Sequence, residues 1–183
     1  MKKIILTLAI AGLFLFGCSD VGVNPNMPAN NNQNNTTLNK KGLLNLDLDS
    51  PFSVTQTING AEGGTISLDK SWLLGSASAS LFFPPNSFEG TETITMTVDP
   101  LTASVSFYPH MVFERRLNLD LSFQGLDLVS MNLDSHKVDF YYESDDGLLS
   151  LIKNNGVDVD VSTGTLSVKN AGLYHFSRYI FAK

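Results

Sequence analysis

The stretch Leu117-Asn118-Leu119-Asp120-Leu121-Ser122-Phe123 alternates one apolar with one polar residue. Successive side chains of an extended strand leave on opposite faces, so this pattern makes a ribbon with one oily side. The same alternation returns in "LLNLDLD" (43–49), "FSVTQTI" (52–58), "SASLFF" (78–83), "TETITMTV" (91–98), "KVDFYYE" (137–143), "VDVDV" (157–161) and "TLSVK" (165–169). It predicts Ile94, Met96 and Val98 inside with threonines outside, and Val157, Val159 and Val161 inside with Asp158 and Asp160 outside. No segment carries the 3.6-residue period of an amphipathic helix. Turn signals separate the runs: Asn59-Gly60, Gly63-Gly64, Pro84-Pro85-Asn86, Asp145-Asp146-Gly147, Asn154-Asn155-Gly156 and Asn170-Ala171-Gly172. Short one-faced strands need a second sheet to cover them, so the expectation is an all-β fold, an antiparallel β-sandwich. Residues 69–77 lack the alternation and read as irregular.

The first residues carry different information. Lys2-Lys3 precedes the uncharged apolar run IILTLAIAGLFLF (4–16), too short to span a bilayer permanently but suited to a secretory signal. Leu15-Phe16-Gly17-Cys18 follows, and Cys18 is the sole cysteine. This resembles the bacterial lipobox, although Phe16 is bulkier than that position usually holds. The resemblance implies cleavage after residue 17, acylation of Cys18 and three acyl chains in the bilayer. Each buried methylene contributes about 0.8 kcal/mol, so several chains hold where one does not. An ordinary signal peptide or an uncleaved anchor is the plainer alternative. Ser19 instead of Asp favours the outer membrane over the inner in enterobacteria-like sorting, leaving the leaflet open.

The segment 18–42 reads as a lipidated cysteine followed by a tether. "NPNMPANNNQNNTTLN" (24–39) has eight asparagines and two prolines. Such composition buries too little to offset ordering, and predicts a disordered linker reaching about 25–30 Å. Residues 43–183 are then one domain without cysteine, which must be stable on its core alone. Loss of Lys2 and Lys3 takes the net charge from −6 to −8. That balance opposes phosphate backbones and anionic head groups, so nucleic acid is not an expected partner and docking of the domain's face on a membrane is disfavoured.

The order of segments resembles a known module. "GAEGGTISL" (60–68), "SASLFFPPNSF" (78–88), "TETITMTV" (91–98) and "MVFERRLNLDLSF" (111–123) are similar to the ZU-five domain, the β-sandwich of zonula occludens proteins and Unc-five-type netrin receptors. Gly63, Gly64, Pro84, Pro85 and Phe113 match its pattern, while Asn86-Ser87-Phe88 departs from it. The direct resemblance covers about 60–130. Some animal members cleave themselves between Phe and Ser of a His-Phe-Ser triplet, which the resemblance assigns to His175, Phe176 and Ser177. Ser177 would then be the nucleophile and His175 its base. The structural reading takes precedence: alternation through one final strand predicts Tyr174, Phe176 and Ile180 in the core, with His175, Ser177 and Tyr179 outside.

Other residues carry weaker signals. Glu143-Ser144-Asp145-Asp146-Gly147 gathers acids without the alternating spacing of a calcium loop and reads as a hairpin tip. His110, His136 and His175 have no short ligand spacing, and His110 after Pro109 reads as loop. No nucleophile elbow, phosphate loop or dinucleotide fingerprint is present. Trp72 reads as covered by a loop, or as an exposed patch, and Arg115-Arg116 as a solvated strand start. The expectation is therefore a non-enzymatic envelope module with no metal or cofactor, held to the bilayer by Cys18 and facing a protein or envelope partner. Self-cleavage at Phe176-Ser177 is the alternative.

Overall fold

The structure, a computed structural model, describes residues 51–183. The signal peptide at 1–17, the tether at 18–42 and the first expected strand at 43–49 lie outside the described residues. What is described is all-β: two antiparallel sheets packed face to face, the sandwich that alternation predicts. Eleven strands follow in chain order: β1 (Phe52–Asn59), β2 (Gly64–Trp72), β3 (Gly75–Phe83), β4 (Thr91–Asp99), β5 (Ser104–Tyr108), β6 (Val112–Gln124), β7 (Asp139–Glu143), β8 (Leu149–Leu151), β9 (Val157–Asp160), β10 (Thr165–His175) and β11 (Arg178–Ala182). One sheet has the order β1-β4-β5-β11-β7-β8 and the other β2-β3-β6-β10-β9.

Period two does the packing. Ile94, Met96, Val98, Phe140 and Phe181 of the first sheet meet Ile66, Leu81, Leu119, Leu121 and Leu166 of the second, all buried. Fully burying one such side chain contributes about 1.5–3 kcal/mol, which is how a body without a disulfide holds together. The interleaved residues stay outside. Along the β1-β4 pair they form a hydroxyl ladder: Ser53 with Thr97 at 2.8 Å, Thr55 with Thr95 at 2.9 Å, and Thr57 with Thr93 at 3.1 Å.

Antiparallel register gives the sandwich two distinct ends. The entry end holds the start of β1, where Phe52 stacks on Trp72 at 5.8 Å, together with the β2-β3, β4-β5 and β9-β10 turns. The corner end holds the β1-β2, β3-β4 and β5-β6 connections and the link from β10 to β11.

Three expectations are corrected. Residues 69–77 are not irregular: β2 and β3 pair without interruption from Gly64↔Phe83 to Trp72↔Gly75. Alternation is lost there because Trp72-Leu73-Leu74 is the tip of a tight hairpin, with Leu73 72% and Leu74 64% exposed. Gly75 closes that turn, since a Cβ on it would collide with the Gln124 carbonyl. Val161 is exposed rather than buried, because β9 ends at Asp160 and Val161 opens the next turn. Finally, the tail is not one strand. β10 and β11 belong to different sheets, and the two residues between them invert the alternation, so Tyr179 is buried and Tyr174 exposed. Ser177 is buried too, and Ile180 is only partly covered.

Candidate functional site

The triplet His175-Phe176-Ser177 is the place where the chain leaves one sheet for the other. His175 ends β10 opposite Val112, and Arg178 begins β11 opposite Ser106 and Glu143. Backbone hydrogen bonds fix the crossing on both sides: Phe176 N–H donates to the Met111 carbonyl at 2.8 Å, and Phe107 N–H donates to the Ser177 carbonyl at 3.0 Å. The Phe176 ring fills the corner. It stacks on Phe107 at 4.8 Å and meets Phe113 edge-on at 4.6 Å and Phe83 at 6.1 Å. Phe88 closes the group against Phe83 and Phe113. Aromatic pairs in this geometry add roughly 0.5–1.5 kcal/mol each beyond their burial.

Polar groups surround the peptide bond between Phe176 and Ser177. His110 Nδ1 lies 3.3 Å from the Phe176 carbonyl oxygen, and donates to it in the tautomer that carries the proton on Nδ1. The Ser177 hydroxyl donates to the Glu143 carbonyl at 3.4 Å. Arg178 pairs with the Glu143 carboxylate at 2.7 Å and reaches Ser104 Oγ at 3.3 Å. The His175 ring lies edge-on to Tyr142 at 4.5 Å and near Tyr179 at 6.1 Å. The Tyr179 hydroxyl donates to the His175 carbonyl at 2.5 Å. Burial, with a smaller contribution from Tyr142, pushes the Tyr179 phenol well above its ordinary value, so it stays a neutral donor.

Self-cleavage here would need a serine oxygen aimed at the Phe176 carbonyl carbon, a base on the serine proton and a donor for the developing oxyanion. His110 stands where the donor belongs. The serine proton is directed to the Glu143 backbone, and the His175 ring packs against Tyr142 and Tyr179. Among the described residues, left-handed non-glycine backbone occurs at Asn86, Ala103, Asn132 and Asn170, and not within the His175-Phe176-Ser177 triplet. The arrangement is thus a crossover whose Phe176 N–H and Ser177 carbonyl are bonded on either side of the central peptide, with His110 beside that peptide's own carbonyl. His110 is the residue that sequence reading missed as a neighbour of the triplet. It lies 66 positions from Phe176, and only the sandwich topology brings the β5-β6 loop onto the corner.

The residues that carry the ZU-five resemblance gather at this same end. Gly63, at φ +76, backs onto the Phe83-Pro84-Pro85 main chain so closely that a Cβ would collide with the Phe83 carbonyl. Phe113 is one of the rings around Phe176. No protein-family model matches this chain, and neither does any curated protein.

The remaining sequence candidates find structural roles. The acidic segment after Glu143 is a hairpin turn, with Gly147 N–H donating to the Ser144 carbonyl at 2.9 Å and Ser144 Oγ to Asp146 at 2.5 Å. Among the described residues no three His, Cys, Asp or Glu side chains gather in metal-binding geometry. Trp72 is partly buried against Phe52, and its indole N–H is buried without a partner. Arg116 is not a solvated strand start. It lies over Gly172 and donates to the Asn170 carbonyl at 2.6 Å, while Asp120 accepts from the Asn170 N–H at 2.7 Å. Together they clamp the bulge where β10 slips register against β6.

Proposed function

We propose that this chain is an acylated lipoprotein of the bacterial envelope that displays a non-catalytic β-sandwich, related to the ZU-five module, as an interaction or structural unit. The observation that carries this reading is Leu15-Phe16-Gly17-Cys18 directly after an uncharged apolar run, ahead of a body with no other cysteine. The sandwich supports it from the other side: a self-sufficient core presents loops and edges to a partner without a catalytic centre. Support for the ZU-five relation is the meeting of Gly63, Pro84, Pro85 and Phe113 around one aromatic corner. Ser19 favours the outer membrane as the destination. Metabolic labelling with an alkyne-tagged palmitate in a bacterial host tests the anchor. The wild-type chain incorporates label and fractionates with membranes, and Cys18→Ala loses both; equal labelling of the two overturns the reading.

A second reading is self-processing, favoured by the 3.3 Å approach of His110 to the Phe176 carbonyl next to a serine hydroxyl. Ser177 Oγ would add to that carbonyl carbon, the amide nitrogen would leave with a proton, and water would hydrolyse the ester to a Phe176 carboxylate. A denaturing gel of aged protein beside Ser177→Ala decides it. A fragment 177–183 that is released only when Ser177 is present establishes cleavage, and an uncut wild-type chain removes it.

A further inference from the structure

The entry end of the sandwich exposes an apolar crown. Leu73 and Leu74 at the β2-β3 tip are joined by Leu101 at the β4-β5 turn, Val129 in the β6-β7 loop and Val161 at the β9-β10 turn. Their exposures run from 47% for Val161 to 72% for Leu73. They come from four connections far apart in sequence and belong to both sheets, yet they project from one end. A single exposed leucine means nothing, whereas a gathered set marks a surface that meets something apolar.

The acids beside them are tied down. Asp99 accepts from Leu101 N–H at 2.9 Å and from the Thr102 hydroxyl at 2.7 Å. Asp127 accepts from Ser130 N–H at 3.1 Å and its hydroxyl at 2.6 Å. Asp160 does the same with Ser162, at 2.9 and 2.6 Å. Asp134 pairs with Lys183 at 2.8 Å. Asp99, Asp127 and Asp160 are thus spent on their own turns, with Leu101, Val129 and Val161 exposed just after them, and Asp134 on a neighbouring lysine. Lys137, just before β7, also belongs to this end and offsets part of its acidity.

The chain enters the described body at this same end, through Pro51 and Phe52. Residues 19–50 are what separates it from Cys18, and as a coil that length reaches on the order of 30 Å. We infer that the crown formed by Leu73, Leu74, Leu101, Val129 and Val161 docks into the interfacial layer of the bilayer that holds Cys18. The inference rests on the acyl anchor proposed above. A tethered crown needs little intrinsic affinity, because the anchor supplies a high local concentration of lipid. The expectation from net charge, that no face of the domain approaches a membrane, is thereby narrowed: it applies to anionic head groups and not to a neutral interface.

The test uses the full lipidated chain in zwitterionic phosphatidylcholine vesicles that contain brominated acyl chains. Leu74→Trp places a reporter on the crown, and Val112→Trp places one at the corner end, where Val112 is 79% exposed. Flotation of the vesicles first reads the anchor. In floated protein, docking predicts that the added Leu74→Trp emission shifts to the blue and is quenched several-fold more than that of Val112→Trp, with anionic lipid reducing the difference. Equal or absent quenching in protein that floats overturns the docking and leaves the anchor standing. Protein that does not float overturns both. Absent quenching with a mass that doubles on concentration assigns the crown to a second copy instead.

Discussion

The corner end and the entry end of this sandwich are closed by opposite means. At the corner end five phenylalanines, Phe83, Phe88, Phe107, Phe113 and Phe176, pack on one another beneath a crossing whose backbone groups are bonded on both sides. At the entry end tight turns satisfy their own carboxylates and leave Leu73, Leu74, Leu101, Val129 and Val161 in solvent. The same residue type, a large apolar side chain, therefore does different work according to whether a second sheet covers it. One end stores stability in a buried ring cluster, although it too exposes Tyr108, Val112 and Tyr174, and the other turns the tips of its hairpins outward.

That contrast can be broken most decisively at Phe176. Replacing it with alanine opens a cavity among three other rings, and urea unfolding should record a loss of about 3–5 kcal/mol. Leu74→Ser at the entry end should stay within about 0.5 kcal/mol of wild type. A comparable loss from both variants would abolish the distinction between the ends. Gly63→Ala comes next, because it strains a left-handed residue pressed against Phe83 and Pro84. Thermal and urea denaturation should both report a cost of about 1–3 kcal/mol. Glu143→Gln, which breaks a partly exposed pair with Arg178, should cost at most about 1 kcal/mol and less in high salt.

The smallest effect belongs to pH. Hydrogen bonds from Ser130 and from Ser162 hold the Asp127 and Asp160 carboxyls below their usual value of 3.8, and Lys183 does so for Asp134. A carboxyl whose pKa is lower in the folded state contributes stability above the unfolded value and loses it as pH falls through the folded value. The urea midpoint should thus decline below about pH 3.8, and the Asp127→Asn, Asp160→Asn double variant should decline less steeply over the same window.

β1, β3, β4, β6, β7 and β9 were legible in the sequence because burial of one face writes itself as alternation, whereas the short β5 and the end of β2 were not read as strands. Where three apolar residues met in Trp72-Leu73-Leu74, the alternation vanished and the hairpin was unreadable, because solvent-exposed leucines look like core. The tail failed for a related reason. Alternation carried through Phe176-Ser177 as if the strand were continuous, whereas those two residues change sheets and flip the phase, burying Tyr179 in place of Tyr174. No local pattern announces a sheet change. Nor does any spacing announce His110 beside Phe176, since that contact exists only after eleven strands have been ordered. The glycines were readable: Gly63 sat in a turn signal, and the structure gives it a positive φ and a backbone neighbour.

Intact-mass spectrometry of the protein extracted from bacterial membranes tests the central claim most directly. The account predicts one dominant species, running from a triacylated Cys18 through an unbroken Phe176-Ser177 bond to Lys183. An unmodified chain that retains Met1, or a pair of products divided between Phe176 and Ser177, would contradict it.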